Sequence, residues 1–429
     1  MKKSCGASFI AIALSVTLSS TGVVAQANHH WVATWATAQE LAPTVPDVPN
    51  VPPTVKRPDF QRNRANARPA PPSDIRDCTV RMTVKTGVGG TRLRVELSNA
   101  FGKKPVVIGA AHVARKGEGS AILSGSDRQL TFSGNSEVTI FPGAVVTSDP
   151  VDLALPDSSN VAVSLYVKSS EGTPTAHTLG LHTTYLTEGD QTASAELPAV
   201  SATISSYLWL SGIDVEAPQD RFAIVALGDS ITDGFKTTID TNHVWPTLLQ
   251  DRLLTRAGAS KASVLNEGIS GNEVLRDGAG VSAMARFDRD VLSRPGVRWV
   301  ILLEGINDIN IHGQIEGDDA LKAEDLIAGY RQLIARAHMH NIKVMGATLT
   351  PEEGVWLAGP IGEATRQKVN DWIRAAGNFD AVVDFDKVLR DPQNVAKLRA
   401  NLDPGDHIHP NDAGNALMAS QFSLADFKH

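Results

Sequence analysis

Ala223-Ile224-Val225-Ala226-Leu227-Gly228-Asp229-Ser230-Ile231-Thr232-Asp233-Gly234 decides how this chain is read. An unbroken run of five apolar residues fits a short strand buried on both faces, as in a parallel sheet. Similar runs recur at 263–266, 300–303, 343–348 and 381–385. Helical patterns separate them. Ala323, Leu326, Ile327, Tyr330, Ile334 and Ala337 keep i, i+3, i+4 spacing, and Trp245, Leu248 and Leu249 do so before a stop at Gly258. The alternation predicts a doubly wound α/β domain over residues 218–429.

Upstream, the period changes to two. Val80, Met82 and Val84 alternate with polar residues, as do Leu93, Val95 and Leu97, and Val161, Val163, Leu165 and Val167. Turn residues at 87–90, 99–102 and 117–119 divide the runs, so short, half-buried antiparallel strands are expected. A β-sandwich over 28–217 follows, its first strand at 30–35. Residues 41–73 interrupt it with nine prolines (Pro43, Pro46, Pro49, Pro52, Pro53, Pro58, Pro69, Pro71, Pro72) and the bases Lys56, Arg57, Arg62, Arg64 and Arg68. Such a stretch suits neither a sheet interior nor a regular helix. It is expected as an exposed insertion, a solvated loop before it is a contact for a polyanion such as pectin.

The 429 residues suffice for two packed cores. Lys2 and Lys3, the apolar stretch 9–18 and Ala25-Gln26-Ala27 form the three parts of a secretory signal, with cleavage expected after Ala27 and export to the periplasm or beyond. The stretch is short and broken by Ser and Thr, and Cys5 precedes it, so neither a stable membrane span nor a lipid anchor is expected. Cleavage removes two lysines and no acids, taking the formal charge from −7 to −9. A mildly acidic protein has no general attraction for nucleic acid. Cys5 leaves with the signal, and Cys78 is then alone, a small strand residue rather than a reactive thiol.

Ligands of an open parallel sheet bind beyond the carboxyl ends of its strands. Polar clusters stand there: Gly228-Asp229-Ser230, Gly268-Ile269-Ser270-Gly271, Gly305-Ile306-Asn307-Asp308, and, before a last helix from about Asp412, Asp406-His407-Ile408-His409-Pro410. A serine hydroxyl needs a base, which histidine supplies near neutral pH, and a carboxylate fixes the imidazole tautomer. Backbone N–H groups of Ser230 and Gly271 with the Asn307 amide could meet an oxyanion.

These four ordered blocks closely resemble the SGNH hydrolases, the GDSL-type esterases and lipases. The resemblance implies a flavodoxin-like three-layer α/β/α domain with Ser230 as nucleophile. It further implies a triad completed by Asp406 and His409 and an oxyanion hole of Ser230, Gly271 and Asn307. No metal or organic cofactor is implied. The wider layout, with residues 30–37 ahead of a β domain and Asp288-Arg289-Asp290-Val291 before the third strand, resembles bacterial secreted members with an N-terminal β-sandwich, usually associated with plant cell-wall esters. A short-chain acyl ester, first an O-acetyl group on a polysaccharide, is the implied substrate. Lipase-like or lysophospholipase activity on longer acyl chains, and a carbohydrate-binding protein, are the alternatives.

The elbow Gly-x-Ser-x-Gly is absent, since Thr232 holds its last position. Each residue also has a plainer reading. Ser230 could cap a helix, Asn307 could be a turn residue, and Asp406 could be a cap or a surface acid. His407 and His409 invite a zinc site, but the remaining Cys lies in the other domain and no H-E-x-x-H occurs. His338 and His340 read as a cationic helix end, Glu352-Glu353 as a solvated loop, and Trp31, Trp35 and Trp209 as core before a sugar platform.

Overall fold

A computed structural model describes Met1 and residues 29–40, 70–256, 261–313 and 320–427. The signal-like segment, Gly258 and residues 41–69 of the Pro-rich stretch lie outside them.

The run at 223–227 is the middle of strand Phe222–Gly228, every residue of which is buried. It pairs in parallel with Ala262–Gly268 on one side and Val297–Leu303 on the other. Lys343–Ala347 and Ala381–Val383 complete a five-stranded parallel sheet in the order second, first, third, fourth, fifth. That is the flavodoxin-like order, in which the strand sequence reverses beside the first strand. Helices Trp245–Thr255, Phe385–Leu389 and Asp412–Ser420 pack together, as do Ala323–Met339 and Pro360–Arg374. The fold is a three-layer α/β/α domain. The last apolar run is cut short: the strand ends at Val383 because Asp384 caps Phe385–Leu389, accepting the Lys387 N–H at 3.1 Å.

The preceding residues form antiparallel sheets. One runs His29–Ala36, Leu210–Pro218, Gly90–Ser98, Val145–Thr147, with Val151–Leu155 also on Gly90–Ser98. The other centres on Arg76–Lys85, Asn160–Ser169 and Val106–Arg115. Val80, Met82, Val84, Leu93, Val95, Leu97 and Val163 are all buried, the shared interior that their alternation predicts. The polar face of Arg76–Lys85 departs from a half-buried strand. Arg81 is buried there, donating to Ser164 Oγ at 2.8 Å and to the carbonyls of Ser120, Thr192 and Ser194. A guanidinium with five donors draws loops over itself and is satisfied without water. Cys78 is half-buried in the same strand, and burial pushes its thiol pKa up. Trp209 is core, Trp35 meets Tyr207 edge-on at 5.0 Å, and Trp31 lies under the Arg94 guanidinium.

The two domains share a long seam. Ala33 N donates to Pro295 O at 2.9 Å, Thr37 bridges to Asn266, and Val88 N donates to Ser263 Oγ at 3.0 Å. Arg294 is buried between Glu96 of the sandwich (2.7 Å) and Glu267 of the α/β domain (2.9 Å).

Candidate active site

Strand Phe222–Gly228 ends in a turn too tight for a side chain. A Cβ on Gly228 would sit 2.2 Å from Thr232 Oγ1 and 2.4 Å from the Leu303 carbonyl. The chain then enters a short helix, Ser230–Asp233. Asp229, not Ser230, is its cap, accepting the Ile231 N–H at 2.9 Å. Ser230 is thereby left free as the first helical residue, with its hydroxyl at the carboxyl edge of the sheet.

Residues 403–411 bring the base to it. Asp403 holds the turn, accepting the N–H groups of Gly405 (2.7 Å) and His407 (3.0 Å) and facing His407 Nδ1 at 2.6 Å. Asn411 then caps Asp412–Ser420 through the Gly414 N–H. Asp406 is therefore neither a helix cap nor a free surface acid. Its Oδ1 accepts the N–H groups of Ile408 and His409, and its Oδ2 faces His409 Nδ1 at 3.0 Å. His409 Nε2 faces Ser230 Oγ at 2.7 Å. Burial pushes the Asp406 carboxyl up, but the bonds from His409 and Ile408 outweigh it and hold it below the usual value. An ionised Asp406 accepts a hydrogen bond from Nδ1–H, which leaves the Nε2 lone pair for the serine hydroxyl.

Gly271 lies at φ +83°, a left-handed conformation that glycine adopts freely. Its N–H and that of Ser230 have no protein partner among the described residues. Asn307, in helix Ile306–His312, gives one amide hydrogen to the Asn272 carbonyl at 2.8 Å, which fixes the other. Asp308 beside it binds back to the N–H groups of Val274 (2.7 Å) and Leu275 (3.1 Å). Asn307 is thus tied to the residue that follows Gly271, and these three donor groups are the candidates for receiving a developing oxyanion.

Behind these groups lies a buried ionic layer. Arg286 reaches the carbonyls of Gly228 (3.0 Å) and Glu267 (2.7 Å), Asn272 Oδ1 (2.9 Å) and Asp290 (3.1 Å). It ties together the ends of the first two strands. Asp290 lies four residues on, on the same face, where helix Ala283–Phe287 continues as a π-helical turn, Asp288–Leu292. Burial pushes Asp229 up to about 7, aided by Asp308, and burial with Glu273 pushes Asp308 up to about 7 as well.

Residues singled out in the sequence converge here: Ser230, Gly271, Asn307, Asp406 and His409. His407 turns away toward Asp403, and both nitrogens of His409 face Ser230 and Asp406. His338 faces Asp380 at 2.8 Å, at the end of its helix. Glu352 corrects an expectation: it is buried rather than solvated, because the N–H groups of Glu352 and Glu353 both donate to the Ala396 carbonyl and fold the loop inward. Burial pushes its carboxyl up to about 7. Arg286, His177 and Phe235 were not singled out as site residues. Phe235 packs on His409 with ring centroids 4.7 Å apart and stays 38% exposed; its place directly after the 228–234 motif was the available signal.

Residues 226–417 match the model of the GDSL-like lipase/acylhydrolase family. The C-terminal domain is a GDSL-type acylhydrolase, a carboxylic ester hydrolase. A search of curated proteins found no match. Solved structures similar to about half of this chain include a catalytic mutant of an acetylxylan esterase from Geobacillus stearothermophilus (20% identity, TM-score 0.37, 48% of this chain and 95% of that one). Others are a carbohydrate acetylesterase from Sinorhizobium meliloti (16%, 0.37, 46% and 94%) and a GDSL-like lipase from Bacteroides thetaiotaomicron (19%, 0.37, 48% and 87%).

Proposed function

We propose that this acylhydrolase is an exported serine esterase that removes short acyl groups, O-acetyl first, from cell-wall carbohydrate. The observation that carries the chemistry is the continuous line Asp406–His409–Ser230, with contacts of 3.0 and 2.7 Å. In this reading Ser230 Oγ attacks the ester carbonyl carbon as His409 Nε2 takes its proton. The oxyanion is met by the N–H groups of Ser230 and Gly271 and by the Asn307 amide. The imidazolium, stabilised by Asp406, then protonates the departing alcohol. Water, deprotonated by the same histidine, attacks the acyl carbon; the C–Oγ bond breaks, the imidazolium returns the proton to Ser230 Oγ, and the acid leaves.

The substrate class has separate support. His409 hands its proton to the alcohol, so the leaving group passes over whatever adjoins that ring. Phe235 adjoins it and is open to solvent, a surface on which the apolar face of a sugar can rest. The N-terminal basic, apolar and Ala-x-Ala segments support export.

Hydrolysis of p-nitrophenyl esters from acetate to palmitate, wild type beside Ser230→Ala, tests the reading. Activity highest on acetate and lost in the variant is expected. Preference for palmitate would move the assignment to a lipase, and undiminished Ser230→Ala turnover would remove the nucleophile. Inactivity of the folded wild type on every ester, acetylated xylan included, would favour a binding role.

A further inference from the structure

Asp233 belongs to the 228–234 motif, yet its two carboxylate oxygens bond to residues outside it. One oxygen, Oδ2, accepts the Ser270 N–H at 3.0 Å and the Ser270 hydroxyl at 2.6 Å. Ser270 immediately precedes Gly271. The other oxygen, Oδ1, faces His177 Nε2 at 3.0 Å. His177 is not part of the acylhydrolase domain: it lies in the short strand Ala176–His177, paired with Tyr207–Leu208. A side chain of the first domain therefore reaches the loop that carries an oxyanion donor of the second.

The protonation of His177 follows from its partners. Nδ1 faces the Ala38 carbonyl at 2.9 Å, and a carbonyl oxygen only accepts. Nε2 faces a carboxylate. Both nitrogens donate, so the ring is an imidazolium. A second carboxylate, Glu40, stands 3.3 Å from Nδ1 and is itself held by the Thr178 hydroxyl at 2.6 Å. The Tyr207 ring stacks at 6.3 Å. Lys85, His182 and His243 line a small cavity alongside, each facing its own carboxylate: Asp251, Asp240 and Asp412. Burial alone would lower the His177 pKa, but Asp233 and Glu40 outweigh it and carry it up to about 9. Glu40, His177 and Asp233 lie close enough together to be weighed as a metal site. The ring argues otherwise, since its two nitrogens point in different directions and both already face acceptors.

We propose that His177 is a positioning residue for ester hydrolysis, a buried cation that fixes Asp233 so that Asp233 holds Ser270, and with it the Gly271 N–H, at the oxyanion hole. The proposal rests on the reading of Ser230 and Gly271 given above. Asp233 is buried, and a buried carboxylate keeps its charge and direction only while a cation faces it. Without His177⁺ the carboxylate loses the partner that holds Oδ1 and can turn, and Ser270 loses one or both of its bonds. A misplacement of about 1 Å in such a loop can cost on the order of 10²-fold in rate.

The test is steady-state kinetics of the full chain on p-nitrophenyl acetate, comparing wild type, His177→Gln, Ser270→Ala and Ser230→Ala from pH 6 to 10. His177→Gln is expected to lower kcat on the order of 10- to 100-fold with KM little changed, since the hole acts on the transition state. Wild type is expected to lose kcat as His177 deprotonates near pH 9, and the variant should lack that fall. A folded His177→Gln protein with wild-type kcat, or with the alkaline fall intact, overturns the proposal. Should that variant not fold, Ser270→Ala cuts the far end of the same chain of contacts: reduced kcat at unchanged KM supports the relay, and a rate within twofold of wild type overturns it. Undiminished turnover by Ser230→Ala would instead refute the nucleophile, whatever His177 does.

Discussion

Arg286 donates its Nε–H to Asn272 Oδ1 at 2.9 Å, and the Asn272 carbonyl in turn receives the Asn307 amide at 2.8 Å. One buried guanidinium thus orients a side chain it never touches. It also faces Asp290 and, at 3.5 Å, Glu304. Replacing it with methionine keeps volume and removes the charge. Arg286→Met is expected to destabilise the protein by about 3–5 kcal/mol, the scale of breaking a buried ion pair from one side. Urea denaturation measures it; an unchanged midpoint would show that the layer is not held by Arg286.

Asn307→Ala removes the side-chain donor proposed for the oxyanion while leaving the Ser230–His409–Asp406 line intact. A fall in kcat on the order of 10²–10³-fold is expected, with KM changed far less. A rise in KM at constant kcat would make Asn307 a substrate-binding group instead.

Asp406→Asn should preserve the fold and reduce kcat on the order of 10⁴-fold, because the amide favours the wrong tautomer of His409. The carboxyl is held below its ordinary value in the folded protein. It therefore contributes stability above its unfolded pKa of about 3.9, and that contribution fades as pH falls through the lower folded value. Acid melting curves should show a steeper loss below pH 4 for wild type than for Asp406→Asn. Parallel curves would mean that the His409 contact does not perturb this carboxyl.

Phe235→Ala tests the leaving-group surface. For an acetylated xylo-oligosaccharide, kcat/KM should fall about 2- to 12-fold, the equivalent of the 0.5–1.5 kcal/mol typical of an aromatic contact. For ethyl acetate, whose alcohol is too small to lie on the ring, it should change less. Equal losses on both esters would assign Phe235 to His409 packing alone.

What was legible in the sequence is the part of the site written in local order. Ser230, Gly271, Asn307, Asp406 and His409 each follow a strand or precede a helix, in short motifs whose residue types name their chemistry. Arg286 and His177 carry no such mark. Each gains its role from partners 58 and 56 residues away, Gly228 for the arginine and Asp233 for the histidine. Apolar periodicity is silent about buried ions, since a charged residue in a pattern reads as exposed. Glu352 was misjudged for that reason, and so was the polar face around Arg81. The cut at Val383 is a different case: Phe385 extends the apolar run, but the Asp384 cap inside it decides where the strand stops.

The first strand, His29–Ala36, lies against Leu210–Pro218 of the sandwich, and just beyond its end Thr37 bridges to Asn266 in the acylhydrolase sheet. Leu210–Pro218 meanwhile leads within a few residues into Phe222–Gly228. The acylhydrolase domain is therefore moored along two lines rather than hung from one connector. A body moored that way has no hinge to swing on. If the ester sits on the polymer proposed above, that polymer is met by a rim which both moorings hold in place.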